Sequence, residues 1–230
     1  MNNKLNNKHT KRAGMYWVEK KPYISVTTIL GIIDKSAALM YWACGETYDA
    51  VILNPEISRE EAISAHKDVS QKAVGRGSAI HDLVEAYENI GEVKGQEGIY
   101  GGYARAFQSW INSHNPKVTE HERTVISKKY QYAGTLDMLV DVGGKQYLID
   151  VKTQKDGRLF QEIQLQLSAY KNALSECGTE VAGMFGLALA EDGTFTYKEF
   201  VYELEPFLSA KNLYEWKNRS SLIKMGYYED

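Results

Sequence analysis

The stretch Leu148-Ile149-Asp150-Val151-Lys152-Thr153-Gln154-Lys155 decides how this chain is interpreted. It begins like a buried β-strand and then places an acid, Asp150, and a base, Lys152, two residues apart. Because side chains alternate between the two faces of a strand, the acid and the base lie on one face of a sheet. An apolar start followed by paired charges indicates a strand that carries reactive groups at the border of a core.

The bulk composition is that of one globular domain. The chain has 230 residues, of which 43% are hydrophobic and 25% are charged, the proportions of an ordinary soluble protein. No run approaches the roughly 18 apolar residues of a membrane span, and the N-terminus lacks the apolar core of a signal peptide. Cys44 and Cys177 form no CxxC pair, which indicates reduced thiols. We therefore expect a cytoplasmic protein with no membrane partner.

Charge is distributed unevenly along the chain. The net charge is −3, which is not typical of a nucleic-acid binder, yet residues 1–21 carry six basic side chains and one acid, Glu19. This segment is either an arm that contacts phosphates or a solvated terminus. We expect residues 1–14 to be disordered.

Residues 15–115 are predicted to be mainly helical. The predicted helices start near Ser25, span Ser36–Ala43, run from a capping box at Ser58–Glu61 to about Val74, start again at Ser78, and surround Phe107, Trp110 and Ile111 before Pro116. These starts rest on hydroxyl side chains ahead of apolar residues. The sequence Gly75-Arg76-Gly77 is expected to interrupt the chain between two of these helices.

Residues 116–205 are predicted to form a sheet-rich core. The predicted elements are strands at Val125-Ile126, Ala133–Val142, Lys145–Thr153, Val181–Ala190 and Thr194–Tyr202, and a helix over Arg158–Leu174. Residues 206–230 are predicted to form a C-terminal helix. The fold class is therefore α/β: one domain over residues 1–230 with a central mixed sheet flanked by helices.

A predicted hairpin places two carboxylates together. The pair Gly143-Gly144 indicates a tight turn, and this turn puts Asp137 directly opposite Asp150, with Cβ atoms about 4.5–5.5 Å apart. Like charges at such positions destabilise a sheet, whereas Mg²⁺ or Mn²⁺ between the carboxylates relieves the repulsion. Spacing alone leaves two interpretations open, a metal site and a solvated acidic face.

Four motifs in a fixed order resemble a known nuclease family. The motifs are Gly77-Ser78-Ala79-Ile80-His81, Gly134-Thr135-Leu136-Asp137, Ile149-Asp150-Val151-Lys152-Thr153 and Gln166-Leu167-Ser168-Ala169-Tyr170. Their order resembles the RecB-like exonuclease branch of the PD-(D/E)XK nuclease superfamily, and is similar to phage-type exonucleases and mitochondrial genome maintenance exonucleases. The resemblance covers about residues 75–175 and implies a restriction-endonuclease-like core.

The resemblance implies a catalytic set and a metal site. Asp137, Asp150 and Lys152 would be the catalytic residues, with Lys152 acting on the attacking water. The ligands of Mg²⁺ or Mn²⁺ would be Asp137, Asp150, the carbonyl of Val151 and a nitrogen of His81.

Three further residues have supporting roles by the same resemblance. Glu122 matches an acid near the site, and Gln166 and Tyr170, one helical turn apart, would line the path of the DNA. Each also has an ordinary structural interpretation: Glu122 as a surface acid, Gln166 as an exposed helix residue, and Tyr170 as part of an apolar stripe.

The function implied by the resemblance is a metal-dependent DNA exonuclease of phage-type recombination, repair or replication, acting in the cytoplasm of a bacterial host. The alternatives are a structure-specific or site-specific endonuclease and a non-catalytic DNA-binding module of the same fold. DNA is the expected partner, together with a recombination or single-strand annealing partner and further copies of the chain as open options. An iron–sulfur cluster, as in some CRISPR-associated relatives, is excluded because it needs four cysteine ligands and the chain has two.

Overall fold

One sheet runs through the protein from its first described strand to its last. The structure is a computed structural model that describes residues 9–95 and 97–228. The strands of the sheet are β1 (His9–Arg12), β2 (Met15–Val18), β3 (Lys21–Ser25), β4 (Lys117–Ser127), β5 (Tyr132–Val142), β6 (Lys145–Thr153), β7 (Gly183–Leu189) and β8 (Phe195–Phe200). The helices are α1 (Val26–Leu30), α2 (Ser36–Leu53), α3 (Arg59–Ile90), α4 (Gly101–His114), α5 (Glu162–Glu176), α6 (Leu204–Lys217) and α7 (Arg219–Lys224). None of the described helices is both long enough and apolar enough to cross a membrane.

The sheet is mixed and lies between two helical layers, as predicted. Its order is β1-β2-β3-β5-β6-β7-β8, and β4 pairs with β5. The pairs β3–β5 and β6–β7 are parallel and the remaining pairs are antiparallel. Helix α5 packs one face through Leu167 and Tyr170, and helices α3 and α4 pack the other through Ile80 and Trp110. The α/β fold class with a central mixed sheet flanked by helices is confirmed.

The N-terminal segment differs from the prediction of a disordered arm followed by helices. Residues 1–8 lie outside the described residues, but β1, β2 and β3 form a meander from His9 to Ser25. Its turns lie at Ala13-Gly14 and Glu19-Lys20, and all four turn residues have positive φ, as type I′ hairpin turns require. Glu19-Lys20 carries no sequence signal for such a turn, which explains the error. Helix α1 then begins after Ser25, as predicted.

Helix α3 is continuous where an interruption was predicted. The capping box at Ser58 is confirmed, because its hydroxyl accepts from the Glu61 amide and the Glu61 carboxylate accepts from the Ser58 amide. The helix then runs through Gly75-Arg76-Gly77 without a break. Two glycines cost a helix about 1 kcal/mol each, but the turns that follow them are held by the buried side chains of Ile80, Leu83 and Val84. The hydroxyl of Ser78 bonds back to the Val74 carbonyl (3.4 Å) rather than starting a new helix.

The hairpin around Gly143-Gly144 is confirmed over its outer part. The observed pairs run from Val142–Lys145 to Met138–Ile149, in the predicted register. The described pairing ends there, one step before Asp137 and Asp150. Asp137 and Asp150 therefore lie next to the last paired residues of the ladder and are not themselves paired through their backbones.

The other boundaries show smaller differences. Strand β4 covers Lys117–Ser127, far more than the predicted Val125-Ile126, with a register shift between Val118 and Glu120. The single C-terminal helix predicted over residues 206–230 is two helices, α6 and α7, and the first begins at Leu204, before Pro206. Proline fits there because the first turn of a helix needs no amide donor.

Strand β5 has one edge that two strands share. Strand β4 pairs with β5 from Tyr132 to Asp141, so β3 and β6 must both use the opposite edge. Strand β3 pairs only at Tyr132 and Ala133, and β6 pairs only from Met138 onward. The segment between them, Gly134 to Asp137, is the second motif of the sequence, and it lies where the sheet opens.

The opening is packed from one side by Tyr170. A Cβ atom on Gly134 would lie 2.4 Å from Cε1 of Tyr170, which is closer than side chains approach one another. Tyr170 is 2% exposed and has little room to retreat. Glycine at position 134 therefore lets α5 approach the open edge of β5.

Replacing Gly134 with alanine should destabilise the protein by about 1–3 kcal/mol, because the added methyl overpacks the Tyr170 ring. Gly77→Ala is the matched control: nothing lies within 4 Å of its added Cβ, and alanine in a helix interior should stabilise by about 0.5–1 kcal/mol. Urea denaturation of both variants measures the two effects. Equal stabilisation by both substitutions would contradict the close packing of Tyr170 on Gly134.

Candidate active site

Asp137 bridges the gap where β5 and β6 stop pairing. Its Oδ2 accepts a hydrogen bond from the backbone amide of Val151 at 2.7 Å. Leu136 and Leu139 both pack in the core beneath α5 although they are three residues apart, so strand alternation breaks at Asp137. This irregularity lets the carboxylate reach across to β6 in place of a backbone carbonyl.

Asp150 is a buried carboxylate held from both sides. It is 1% exposed, and its Oδ1 accepts a hydrogen bond from Nε2 of Gln166 at 2.7 Å. Its Oδ2 lies 2.7 Å from Nζ of Lys152, which confirms that the acid and the base two residues later share one face. This contact is an ion pair, and Oδ2 accepts no hydrogen bond from a described residue other than Lys152.

Burial and neighbouring charge shift the ionisation of this pair. Burial raises the pKa of Asp150 to about 6, Lys152 counteracts the rise, and the nearby Asp137 carboxylate adds to it. Burial disfavours the charged form of Lys152, but the carboxylates of Asp150 and Asp137 outweigh it and raise the pKa of Lys152. Lys152 therefore stays protonated at neutral pH, as the cation beside the two acids.

His81 and Glu122 meet on the other side of the opening. His81 is on α3, and its Nδ1 lies 3.4 Å from Oε1 of Glu122. Glu122 lies opposite Asp137, because the pairs His121–Met138 and Arg123–Leu136 flank that position. It has a φ of 47°, a conformation that residues with a side chain seldom adopt. Strained backbone of this kind is concentrated at functional sites.

Gln166 and Tyr170 form the wall of the site on α5. Nε2 of Gln166 lies 3.4 Å from the Tyr170 hydroxyl as well as contacting Asp150. Burial raises the pKa of the Tyr170 hydroxyl well above its usual range, and the carboxylates of Asp137 and Asp150 add to the effect. Both side chains therefore lie beside the two acids, with Tyr170 as a core residue and Gln166 in direct contact with Asp150.

A cavity of about 230 Å³ lies between α3 and the sheet at this opening. Its lining combines α3 with the middle of β4 and β5 and the end of β6: Gly77, Ile80, His81, Val84, His121, Asp137, Val151, Lys152 and Thr153. His121 was not among the predicted site residues. His121 directly precedes Glu122 in the sequence, and this position could have identified it. The strand predicted there, Val125-Ile126, was too short to include either residue.

The residues present fit a divalent cation of the Mg²⁺ or Mn²⁺ type. Asp150 Oδ2 is a buried oxygen whose charge is met by the Lys152 ammonium and by no further donor among the described residues, and Asp137 and His81 both influence its ionisation. Two carboxylates and one imidazole are a donor set that suits Mn²⁺ and tolerates Mg²⁺. Within residues 9–95 and 97–228, no three His, Cys, Asp or Glu side chains already converge as a metal site. In their place the ammonium of Lys152 neutralises Asp150.

Comparison with known proteins gives structural likenesses only. No family model and no curated protein matches the sequence. A putative exonuclease from Eubacterium rectale has a similar structure, with a TM-score of 0.46 and 14% identity over 91% of this chain and 84% of that chain. The alkaline exonuclease of Laribacter hongkongensis has a TM-score of 0.41 and 13% identity over 88% of this chain and 93% of that one. A protein designated SSO0001 has a TM-score of 0.45 and 16% identity over 90% and 77% of the two chains.

Replacing Asp150 with asparagine should stabilise the metal-free protein in a pH-dependent way. A carboxyl group whose pKa is raised by folding does not reduce the free energy of unfolding below its unfolded-state pKa of about 4. The reduction is complete above the folded-state pKa of about 6. The gain from Asp150→Asn should therefore grow between pH 4 and pH 7 by about 2–3 kcal/mol.

Denaturant unfolding in EDTA at several pH values measures this gain. The exposed carboxyl group of Asp68 provides the control variant Asp68→Asn, whose effect should stay nearly constant over the same range. A gain for Asp150→Asn that does not change with pH would contradict the burial of an ionised Asp150.

Proposed function

We propose that this protein is a metal-dependent DNA exonuclease that hydrolyses phosphodiester bonds with water. The observation that carries the proposal is the buried carboxylate of Asp150, held by Gln166 and Lys152 beside Asp137 at the open edge of the sheet. Burying a charged carboxylate is costly. A buried carboxylate next to residues that line an open cavity therefore fits a functional site rather than a packing role. The order of the four motifs supports a DNA substrate.

The metal ligands would be the carboxylates of Asp137 and Asp150, the Val151 carbonyl and His81. A bound Mg²⁺ or Mn²⁺ would supply a water of lowered pKa and neutralise charge on the phosphate. Glu122 lies 3.4 Å from Nδ1 of His81, close enough to orient the imidazole once a metal is bound. Carboxylates beside a ligating histidine commonly have this role.

The remaining side chains position the reacting groups. Lys152 is protonated and lines the cavity, so it can hold a phosphate oxygen or orient the attacking water. Gln166 fixes the Asp150 carboxylate through Oδ1 and leaves Oδ2 facing Lys152. Tyr170 packs against Gly134, and its hydroxyl contacts Nε2 of Gln166, so it supports the Gln166 side chain.

The finer parts of the proposal rest on the motif resemblance. The first is cleavage from the end of a DNA strand rather than within it. The second is a role in phage-type recombination, repair or replication. The third is action together with an annealing partner or with further copies of the chain. An endonuclease of the same fold would use the same residues, and a non-catalytic module would keep the DNA contacts without the chemistry.

Cleavage assays on end-labelled linear DNA and on closed circular DNA test the proposal. We expect loss of the linear DNA only, in Mg²⁺ or Mn²⁺ and not in EDTA. Lys152→Ala should lower the rate by at least about 100-fold, the size of effect seen when one group that stabilises charge in a transition state is removed. The exposed Lys198 on β8 gives the control Lys198→Ala, which should cleave at the wild-type rate.

Other outcomes of this assay would replace the proposal. Cutting of circular DNA would make the protein an endonuclease. Absence of cleavage by a folded protein that binds both metal and DNA would make it a non-catalytic module. Cleavage by Lys152→Ala at the wild-type rate would remove this site from the reaction.

Lys152 and a divalent cation compete for the same carboxylate. Removing one positive charge next to a bound dication should strengthen Mn²⁺ binding by about tenfold, even where water screens most of the interaction. Calorimetric titration of Mn²⁺ into Lys152→Ala and the wild type measures the change. Weaker binding by the variant would show that Lys152 helps to build the site rather than opposing the ion.

A further inference from the structure

A second and larger cleft adjoins the proposed catalytic site at Lys152. Its volume is about 690 Å³, within the about 300–1,000 Å³ of typical ligand pockets. It lies between the loop that joins α1 to α2 and the start of α5, and both Lys152 and Gln166 line it. A group bound in this cleft would therefore be adjacent to whatever is bound at Asp150.

The walls of the cleft are largely apolar. The apolar lining residues are Leu30, Ile32, Ile33, Leu39, Phe160 and Ile163. A groove that follows the backbone of a DNA duplex needs cationic side chains facing phosphates. Apolar walls instead suit the flat face of a base that is not stacked in a duplex.

Most charges at the rim of the cleft are already paired. Nζ of Lys35 lies 3.1 Å from Oε1 of Glu162, and the Asp34 carboxylate accepts a hydrogen bond from the Ser36 amide at 2.8 Å. Lys217, at the end of α6, has no acidic partner within the described part of the chain. Besides Lys152, which pairs with Asp150, the described rim offers a phosphate one cation without an acidic partner, far fewer than a duplex track requires.

Phe160 is the aromatic side chain of this cleft. The neighbouring Leu159 packs inward next to Gly186, whereas Phe160 is 48% exposed. Within the described residues, no other aromatic ring stacks on Phe160. An exposed phenyl ring at the mouth of an apolar cleft is a platform on which a base can stack.

We propose that the Phe160 cleft binds an unpaired base of the DNA strand whose phosphate lies at Lys152. The proposal rests on the nuclease function above and specifies its substrate: a single strand, or an end whose terminal bases are unpaired. A base in the cleft stacks on Phe160, and its phosphate is left within reach of Lys152. A fully paired end must first open to enter.

Fluorescence anisotropy in EDTA tests this proposal without any cleavage. The probes are a labelled 12-nucleotide single strand and the blunt duplex of the same sequence. The wild type should bind the single strand more tightly than the duplex. Phe160→Ala should lose about tenfold in single-strand affinity, since stacking on one aromatic side chain is worth about 5- to 150-fold per base, and should bind the duplex as the wild type does.

Two further variants control for folding and for nonspecific contact. Phe160→Trp keeps a stacking ring and should bind the single strand within about twofold of the wild type. Tyr48 is an exposed aromatic residue on α2 that does not line the cleft, so Tyr48→Ala should have no effect.

Three results would overturn the proposal. They are equal binding of single strand and duplex by the wild type, full single-strand affinity in Phe160→Ala, and equal losses in Phe160→Ala and Tyr48→Ala. Selective single-strand binding through Phe160 by a protein that cleaves no DNA would support the cleft while contradicting the nuclease function.

Discussion

The structure depends on one interruption of backbone pairing, at the edge that β5 shares with both β3 and β6. Backbone amides in the gap need acceptors, and the Asp137 carboxylate supplies one to Val151. This contact continues the link between β5 and β6 beyond their paired ladder and fixes an acid at the opening. The same gap admits Tyr170 against Gly134, so the packing of α5 and the position of the acids have a single origin.

The second consequence of the opening is a buried charge that the surroundings only partly compensate. Asp150 receives one hydrogen bond from Gln166 and one ion pair from Lys152, and the pKa of its carboxyl group remains raised. The protein thus keeps a destabilising group where an apolar residue would pack better. A loss of stability of this kind is what the proposed catalytic role would require, since active sites commonly sacrifice stability for function. The two cavities meet at Lys152, which places the Lys152–Asp150 pair between the cavity beside α3 and the Phe160 cleft.

The sequence predicts the parts of this arrangement that depend on local signals. Gly143-Gly144 specifies the hairpin register, and Ser58 and Glu61 specify a helix start. The stripe that includes Leu167 specifies α5, although the predicted start at Arg158 is four residues too early. The sequence does not predict what tertiary packing decides. Glu19-Lys20 forms a tight turn because β2 and β3 pair with a larger sheet, and Gly75 and Gly77 stay helical because the part of α3 after them packs in the core through Ile80 and Leu83. The break in pairing before Asp137 also has no local signal, so the contact between that carboxylate and Val151 was not predicted, although the two acids themselves were.

Anomalous diffraction from crystals soaked in Mn²⁺ tests the central claim most directly, because it locates the ion independently of any activity. The account predicts one Mn²⁺ bound by the carboxylates of Asp137 and Asp150, with Nζ of Lys152 moved away from its 2.7 Å contact with Asp150. Mn²⁺ bound elsewhere, with the Lys152–Asp150 pair intact at saturating metal, would contradict it.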